Sequence, residues 1–255
     1  MGEAIRFEAA RGVAVITIDR PRVRNAVDQP TAEAIAAALD ELDARDDVRA
    51  GILTGAGGFF SAGMDLKALN ATGQRPISAS RGAFGIVEDP PETPLIAAVE
   101  GPALGGGFEI ALACDLIVAS AEARFGFPEV RRGLVAAAGG LIRLPRRIPS
   151  AVALEMVLTG EPIGAERARE LGLVSRVVEA GTALDAARGL AAAIAANAPL
   201  AVRTSKRIAY ESADWPLAEA FERQQPIVQV VRDSEDAREG ARAFVEKREP
   251  VWAGR

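Results

Sequence analysis

Glu109 and Glu129 are the side chains whose surroundings suggest acid–base work. Glu109 sits two residues beyond Gly107 in the run GGGFEI at 105–110, and Glu129 sits in FPEV at 127–130. A glycine triplet lets the backbone approach a ligand closely, because no Cβ stands in the way. The first N–H groups of a helix opened by such a turn have no internal partner and lie at its positive end. There they stabilise an anion or a developing oxyanion. A second small-residue loop, FSAG at 60–63, offers further N–H groups around Ser61, Ala62 and Gly63. Donors from the two loops would clamp one carbonyl oxygen. Two carboxylates in the same pocket, their pKa values pushed apart by burial and mutual repulsion, would handle water and a carbon acid. Taken singly, each feature has an ordinary reading: a tight turn for the glycines, a solvated or salt-bridged side chain for either glutamate. The combination carries the argument. Asp65 fits either a loop-orienting role or the N-cap of a helix.

Composition sharpens this. The chain has 255 residues, no histidine and one cysteine, Cys114. That excludes Ser-His-Asp and Cys-His nucleophile systems, imidazole relays, His-ligated metals, disulfides and thiolate zinc clusters. Proton transfer falls to Asp, Glu, Lys, Arg or the lone Tyr210. The dinucleotide fingerprint fails because Ile110 stands where the third glycine belongs, and there is no phosphate-cradling P-loop. A net charge of −5 and only 5% aromatic residues argue against a nucleic-acid surface. No apolar run is long enough for a membrane span and the first residues lack a signal-peptide core, so a soluble cytoplasmic protein is expected. Cys114, on an apolar helix, reads as a core residue. Arg143, Arg146 and Arg147 pair with acidic neighbours or meet a phosphate. Arg131, Arg132, Lys206 and Arg207 read as surface charges, and FVEKREP at 244–250 as an exposed helix end.

The elements that must position these residues alternate. VAVITID at 13–19 predicts a buried strand, Asp28 caps a helix running to about Ala44, and AGILT at 50–54 predicts the next strand. Such β-α-β units imply a parallel sheet with right-handed crossovers. Strands at 95–100 and 116–119 flank a helix at 108–114, with turns or loops at 101–107, 124–130 and, at length, 67–93. Gly160 ends a helix from Ser150, 173–178 is a short strand, and after Thr182 the pattern is helical. In a parallel sheet the loops bearing the two glutamates open on the same edge.

FSAGMDL at 60–66, PLIAAVEGPALGGGFEIALACD at 94–115 and FGFPEVRRGLVAAAGG at 125–140, in this order and spacing, resemble the crotonase superfamily, specifically enoyl-CoA hydratases. The likeness covers nearly the whole chain, from the opening strand through RPRVRNA at 20–26 to FVEKR near the end. It implies an α/β fold: a crotonase (ClpP/crotonase-like) spiral of β-β-α repeats over 1–195, with a helical C-terminal trimerisation region at 196–255 and trimers paired into hexamers. It implies an acyl-CoA thioester whose carbonyl sits between the backbone N–H groups of Ala62 and Gly106, with Gly63, Met64, Asp65 and Leu66 lining the same loop. Glu109 would deprotonate the attacking water and Glu129 would handle the proton at Cα. Coenzyme A contacts are implied for Arg24 and for Lys247, the latter across a subunit boundary. No cofactor is implied beyond the coenzyme A of the substrate, and no metal, nucleic-acid or membrane partner. The implied reaction is reversible hydration of a 2-trans-enoyl-CoA. The alternatives are enoyl-CoA isomerisation, a carnitinyl-CoA dehydratase-like reaction, or acyl-CoA binding without turnover. VAAAGG at 135–140 departs from the PGAGG-like stretch of many hydratases, and LPRRIP and EMVLTG resemble carnitinyl-CoA dehydratase-like members.

Overall fold

A hairpin of two β-branched runs opens the fold. The computed structural model describes residues 4–255. Strand β1 (Ile5–Ala10) pairs antiparallel with β2 (Val13–Ile18). Only β2 was legible beforehand, because it is buried along nearly its full length while β1 buries alternate residues. Helix α1 (Gln29–Ala44) follows, its N-terminus capped by Asp28, which accepts the Thr31 N–H at 3.0 Å. Ile35, Leu39 and Leu42 recur at helical spacing and are fully buried. Strand β3 (Ala50–Gly55) lies parallel to β2.

The segment 67–93, expected as one long loop, holds three elements instead. Helix α2 (Leu66–Thr72) begins at Asp65, which accepts the N–H groups of Lys67 and Ala68, and ends at left-handed Gly73. A small antiparallel pair, β4 (Ile77–Ser78) and β5 (Gly82–Ala83), closes the segment. Two-residue strands carry no readable alternation, which is why the sequence pattern shows nothing there.

Next come β6 (Leu95–Val99), β7 (Pro102–Leu104), α3 (Gly106–Ala113), β8 (Leu116–Ser120) and β9 (Arg124–Gly126). The expectation of plain turns at 101–107 and 124–130 is corrected here: each contains a short strand, and β7 runs parallel to β9 in a second sheet. The unit is therefore strand in the main sheet, strand in the second sheet, then helix. This is the β-β-α spiral of the crotonase fold. Ser61, after β3, bridges to Ala103 of β7 and so brings the loop at 60–66 to that second sheet.

A 3-10 turn (Pro128–Arg132) leads to α4 (Gly140–Arg147) and α5 (Ser150–Thr159), capped by left-handed Gly160. Strand β10 (Ile163–Gly164) pairs with β9, and α6 (Ala165–Glu170) and β11 (Arg176–Val178) follow. The main sheet has the order β1-β2-β3-β6-β8-β11, parallel except for the first pair. Helix α7 (Ala183–Ala195) buries Ala183, Ala187, Ala191 and Ala195 and packs Ala187 and Ala191 against one face of it. Helices α8 (Pro199–Glu211), α9 (Leu217–Arg232) and α10 (Glu235–Glu246) complete the chain.

Lys206 corrects its reading as a solvated charge. Its Nζ donates to Asp115 Oδ2 and to the Pro91 carbonyl, both at 2.7 Å, and more distantly to the Thr93 carbonyl. The same Asp115 oxygen accepts the Leu95 N–H. This largely buried pair straps α8 to the start of β6. Removing one partner strands the other charge. Lys206→Met is expected to cost about 2 kcal/mol in urea unfolding, and Lys206→Met with Asp115→Asn less than the sum of the two single changes.

Candidate active site

The site forms where two loops touch without side chains between them. Gly63 has φ +79°, and a Cβ there would lie 2.8 Å from the Gly106 nitrogen and 2.9 Å from that of Gly107. A Cβ on Gly107 would strike the Ser61 carbonyl, and one on Gly106 would strike the Phe84 ring. Only glycines allow the loop at 60–66 to sit against the first turn of α3. Ser61 fixes the loop from within: its hydroxyl donates to the Asn25 carbonyl and accepts the Gly63 N–H.

The donors differ from those implied by the resemblance. The Ala62 N–H is spent on the Arg24 carbonyl at 3.0 Å, so it is not free to hold a ligand oxygen. Two residues on, Met64 takes part in a bridge to Val27 made by its neighbours: the Gly63 carbonyl accepts the Val27 N–H, and the Asp65 N–H donates to the Val27 carbonyl. The Met64 N–H therefore points away from that bridge and donates to nothing among the described residues. The Gly106 N–H, first in α3, is equally free. Sequence reasoning missed Met64 as a donor because an N–H's direction depends on strand-like pairing 37 residues away. Ala62 and Met64 both line the cleft; Gly63 is the spacer that brings them to α3.

Both glutamates reach this place. Glu109, on the first turn of α3, is 3% exposed, and its Oε1 accepts the Gly140 N–H at 3.0 Å, the first of α4. Burial pushes its pKa up, the Gly140 N–H pulls it back, the nearby Glu129 charge raises it, and Arg143 opposes the rise. Glu129 stands in the 3-10 turn, held by Pro128 at its start. A Cβ on Gly105 would lie 2.7 Å from Glu129 Oε1, which seats this carboxylate at the glycine triplet. Burial is again the largest cause of a raised pKa, and Glu129 Oε2 is buried without a partner. Both carboxyls are held above their ordinary range and the Glu129 charge reaches Glu109, but their environments differ: the Gly140 N–H and Arg143 favour the Glu109 anion, whereas the rise at Glu129 is opposed only by its own backbone N–H and Arg132, and its Oε2 stays buried without a partner.

These groups line a cleft of about 1690 Å³. Arg24, Asp65, Leu66 and Gly106 lie on its wall, while Lys247, at the end of α10, does not. Arg22, of the same basic loop as Arg24, lines the cleft as well, and so do Lys67 and Arg75, which the sequence pattern did not single out. Arg24 stacks over Phe59, with its guanidinium carbon 5.7 Å from the ring centroid. Asp65 caps α2, as its second reading has it, and also accepts from the Arg20 guanidinium. Cys114 is fully buried and its pKa is pushed up to about 12 by burial, an inert core thiol. No group of three or more His, Cys, Asp or Glu among the described residues is placed to hold a metal ion.

A family model described as enoyl-CoA hydratase/isomerase matches residues 8–255. A carnitinyl-CoA dehydratase of Salmonella enteritidis PT4 (strain P125109) is 43% identical to this chain, covering 100% of both. Among solved structures, enoyl-CoA hydratase EchA1 from Mycobacterium marinum superposes with a TM-score of 0.96 at 52% identity, covering 99% of each chain. A carnitinyl-CoA hydratase from Mycobacterium avium does so with a TM-score of 0.80 at 46% identity, covering 100% of each.

The raised pKa of Glu109 has a sign that stability measurements read. Below the unfolded-state value both forms of the chain carry a neutral acid. As pH rises through the folded-state value, the buried carboxylate costs stability. Glu109→Gln keeps an oxygen for Gly140 N–H and removes that charge. Its midpoint in urea should match that of the parent protein near pH 4 and exceed it near pH 7; a deficit at pH 7 that vanishes at pH 4 would contradict the assigned shift.

Proposed function

The chain belongs to the enoyl-CoA hydratase/isomerase family, and from that premise we propose that it catalyses reversible addition of water to a 2-trans-enoyl-CoA, giving a 3-hydroxyacyl-CoA. The observation that carries this is the joining of two spare backbone N–H groups, on Met64 and Gly106, to two desolvated carboxyls on Glu109 and Glu129. The thioester oxygen sits between the two N–H groups. Glu109, whose anion is favoured by the Gly140 N–H and Arg143, takes a proton from water as the water oxygen bonds to Cβ of the enoyl group. The electron pair of the double bond passes toward the thioester oxygen, giving an enolate-like state. Glu129, entering the step as the neutral acid, then delivers a proton to Cα. Reversal eliminates water. The reaction needs no cofactor beyond the coenzyme A of the substrate, whose phosphates suit Arg22, Arg24, Lys67 and Arg75.

A second reading, dehydration of a carnitinyl-type thioester, is supported by the 43% identity to a carnitinyl-CoA dehydratase. It uses the same residues in the eliminating direction. The spiral core is assigned to 1–195 and self-association, as trimer or hexamer, to 196–255. Exposed apolar side chains on the last helices, Leu217, Phe221, Phe244 and Val245, support that division. Lys247 would then meet coenzyme A only across a subunit boundary. No helix among the described residues is long and apolar enough to cross a membrane, and a cytoplasmic location is the accompanying proposal.

Glu109→Gln and Glu129→Gln are each expected to lower kcat for enoyl-CoA hydration by roughly 10²–10⁴, with KM little changed. Loss of the conjugated thioester absorbance measures this, and unchanged turnover in both variants overturns the reading. Gly63→Ala, which forces the two loops apart, should lower kcat by roughly 10²-fold through the oxyanion donors. The check is the same assay together with an unaltered circular dichroism spectrum.

A further inference from the structure

Helix α3 gives the cleft a direction. Gly106, Glu109, Leu112 and Ala113 line it at helical spacing, so one face of α3 forms its wall. From Gly106 to Ala113 this wall runs about 10 Å beyond the oxyanion donors. Leu112 and Val87 give it apolar lining. Its far end is charged. Arg143, Arg146, Arg147 and Lys206 line it, together with Asp115, Tyr210 and Asp214.

The charges there do not cancel. Lys206 is paired with Asp115 at 2.7 Å and Arg146 with Asp214 at 3.5 Å. Glu211, also on this wall, is taken by Arg207. Arg143 and Arg147 have no carboxylate within ion-pair distance among the described residues. Arg143 donates only to the Val87 carbonyl, and Arg147 only to the Cys114 carbonyl and the Tyr210 hydroxyl. A guanidinium offers five N–H donors in a planar fork, so most of each fork is unspent. The contact with Cys114, at the C-terminal end of α3, accounts for one donor of Arg147 and for none of Arg143. Burial holds Arg143 below its ordinary value and the charge of Arg147 is the next cause, with Tyr210, Cys114 and Glu109 opposing it. Two adjacent, half-buried cations of one sign, with donors to spare, are costly beside an apolar chain end and repel a cationic one.

We infer that the far end of this cleft selects acyl-CoA thioesters whose acyl chain ends in a carboxylate, with Arg143 and Arg147 receiving it. This rests on the cleft being the acyl-CoA site proposed above and names the substrate class for it. The basic group at Arg22 and Arg24 adjoins the opposite end of α3, because the Arg24 carbonyl binds the loop that abuts Gly106. The coenzyme A phosphates and the acyl terminus therefore meet different cations. A carnitinyl group, which ends in a trimethylammonium, is disfavoured by the same two charges.

The test compares three saturated acyl-CoA thioesters of equal chain length, ending in carboxylate, methyl or trimethylammonium, bound to the full chain in titration calorimetry. Saturated chains bind without turnover, so the result is independent of the hydratase reading. The carboxylate-ended ligand should bind about tenfold or more tightly than the methyl-ended one, and the trimethylammonium-ended ligand weakest of the three. Arg143→Gln and Arg147→Gln should each reduce the carboxylate-to-methyl ratio by about tenfold and leave the affinity for free coenzyme A unchanged. The inference is overturned by a ratio of one or less in the unmodified protein, by a ratio unaltered in both variants, or by an equal loss of free coenzyme A affinity. The unmodified protein alone decides the matter if a variant fails to fold. Tight carboxylate-dependent binding without hydration of the matching 2-enoyl thioester would defeat the hydratase reading and leave this inference standing.

Discussion

The contact of Gly63 with the nitrogens of Gly106 and Gly107 is the constraint from which the site follows. It places an open loop against the first turn of a helix at backbone distance, which no side chain at either position would permit. The loop comes from the end of β3 and the helix from the end of β7, so the contact also joins the two sheets. Once it is made, the spare N–H groups of Met64 and Gly106 belong to one wall. The Ala62 and Gly63 N–H groups are consumed in holding the loop in place. Their loss as ligand donors and the rigidity of the remaining pair are the same fact.

Glu109 and Glu129 extend that constraint into electrostatics. The turn that frees the Gly106 N–H also begins the helix that carries Glu109 inward, and the absence of a Cβ on Gly105 makes room for the Glu129 carboxyl. Both acids lose water, which raises both pKa values. The start of α4 then breaks the symmetry, because its first N–H binds Glu109 and not Glu129. VAAAGG, the stretch that departs from the common hydratase pattern, is the one that delivers this N–H. In the proposed reaction this unequal hydrogen bonding is what divides base from acid between two identical side chains.

The same helix orders the rest of the cleft. Its N-terminal end meets the thioester oxygen in the proposed reaction, Leu112 adds an apolar face, and its C-terminal end reaches the cations of α4 and α8. Lys206 and Asp115 hold α8 in place there, so a charge that looks exposed in the sequence proves to be structural. The ion pairs on this wall are selective, neutralising Lys206 and Arg146 and sparing Arg143 and Arg147.

Much of this was legible along the chain. Short apolar runs marked β2, β3, β6, α3 and β8, which are buried almost throughout, and helical spacing marked α1, which buries one face. The glycine triplet, the small-residue loop and the two glutamates stood out by residue type, since chemistry without histidine leaves few candidates. What could not be read were β4, β5, β7, β9 and β10, two or three residues each, which are strands only because a partner lies beside them. Nor could the choice of Met64 over Ala62 be read, which depends on whether a distant carbonyl claims an N–H, or the pairing state of each arginine. Residue types along the chain settle which atoms are available: small residues where backbones touch, carboxyls beside them, guanidinium groups to spare. The tertiary structure alone decided which of those atoms remain unsatisfied and share one space, because hydrogen bonding and desolvation depend on neighbours in three dimensions, not on order along the chain.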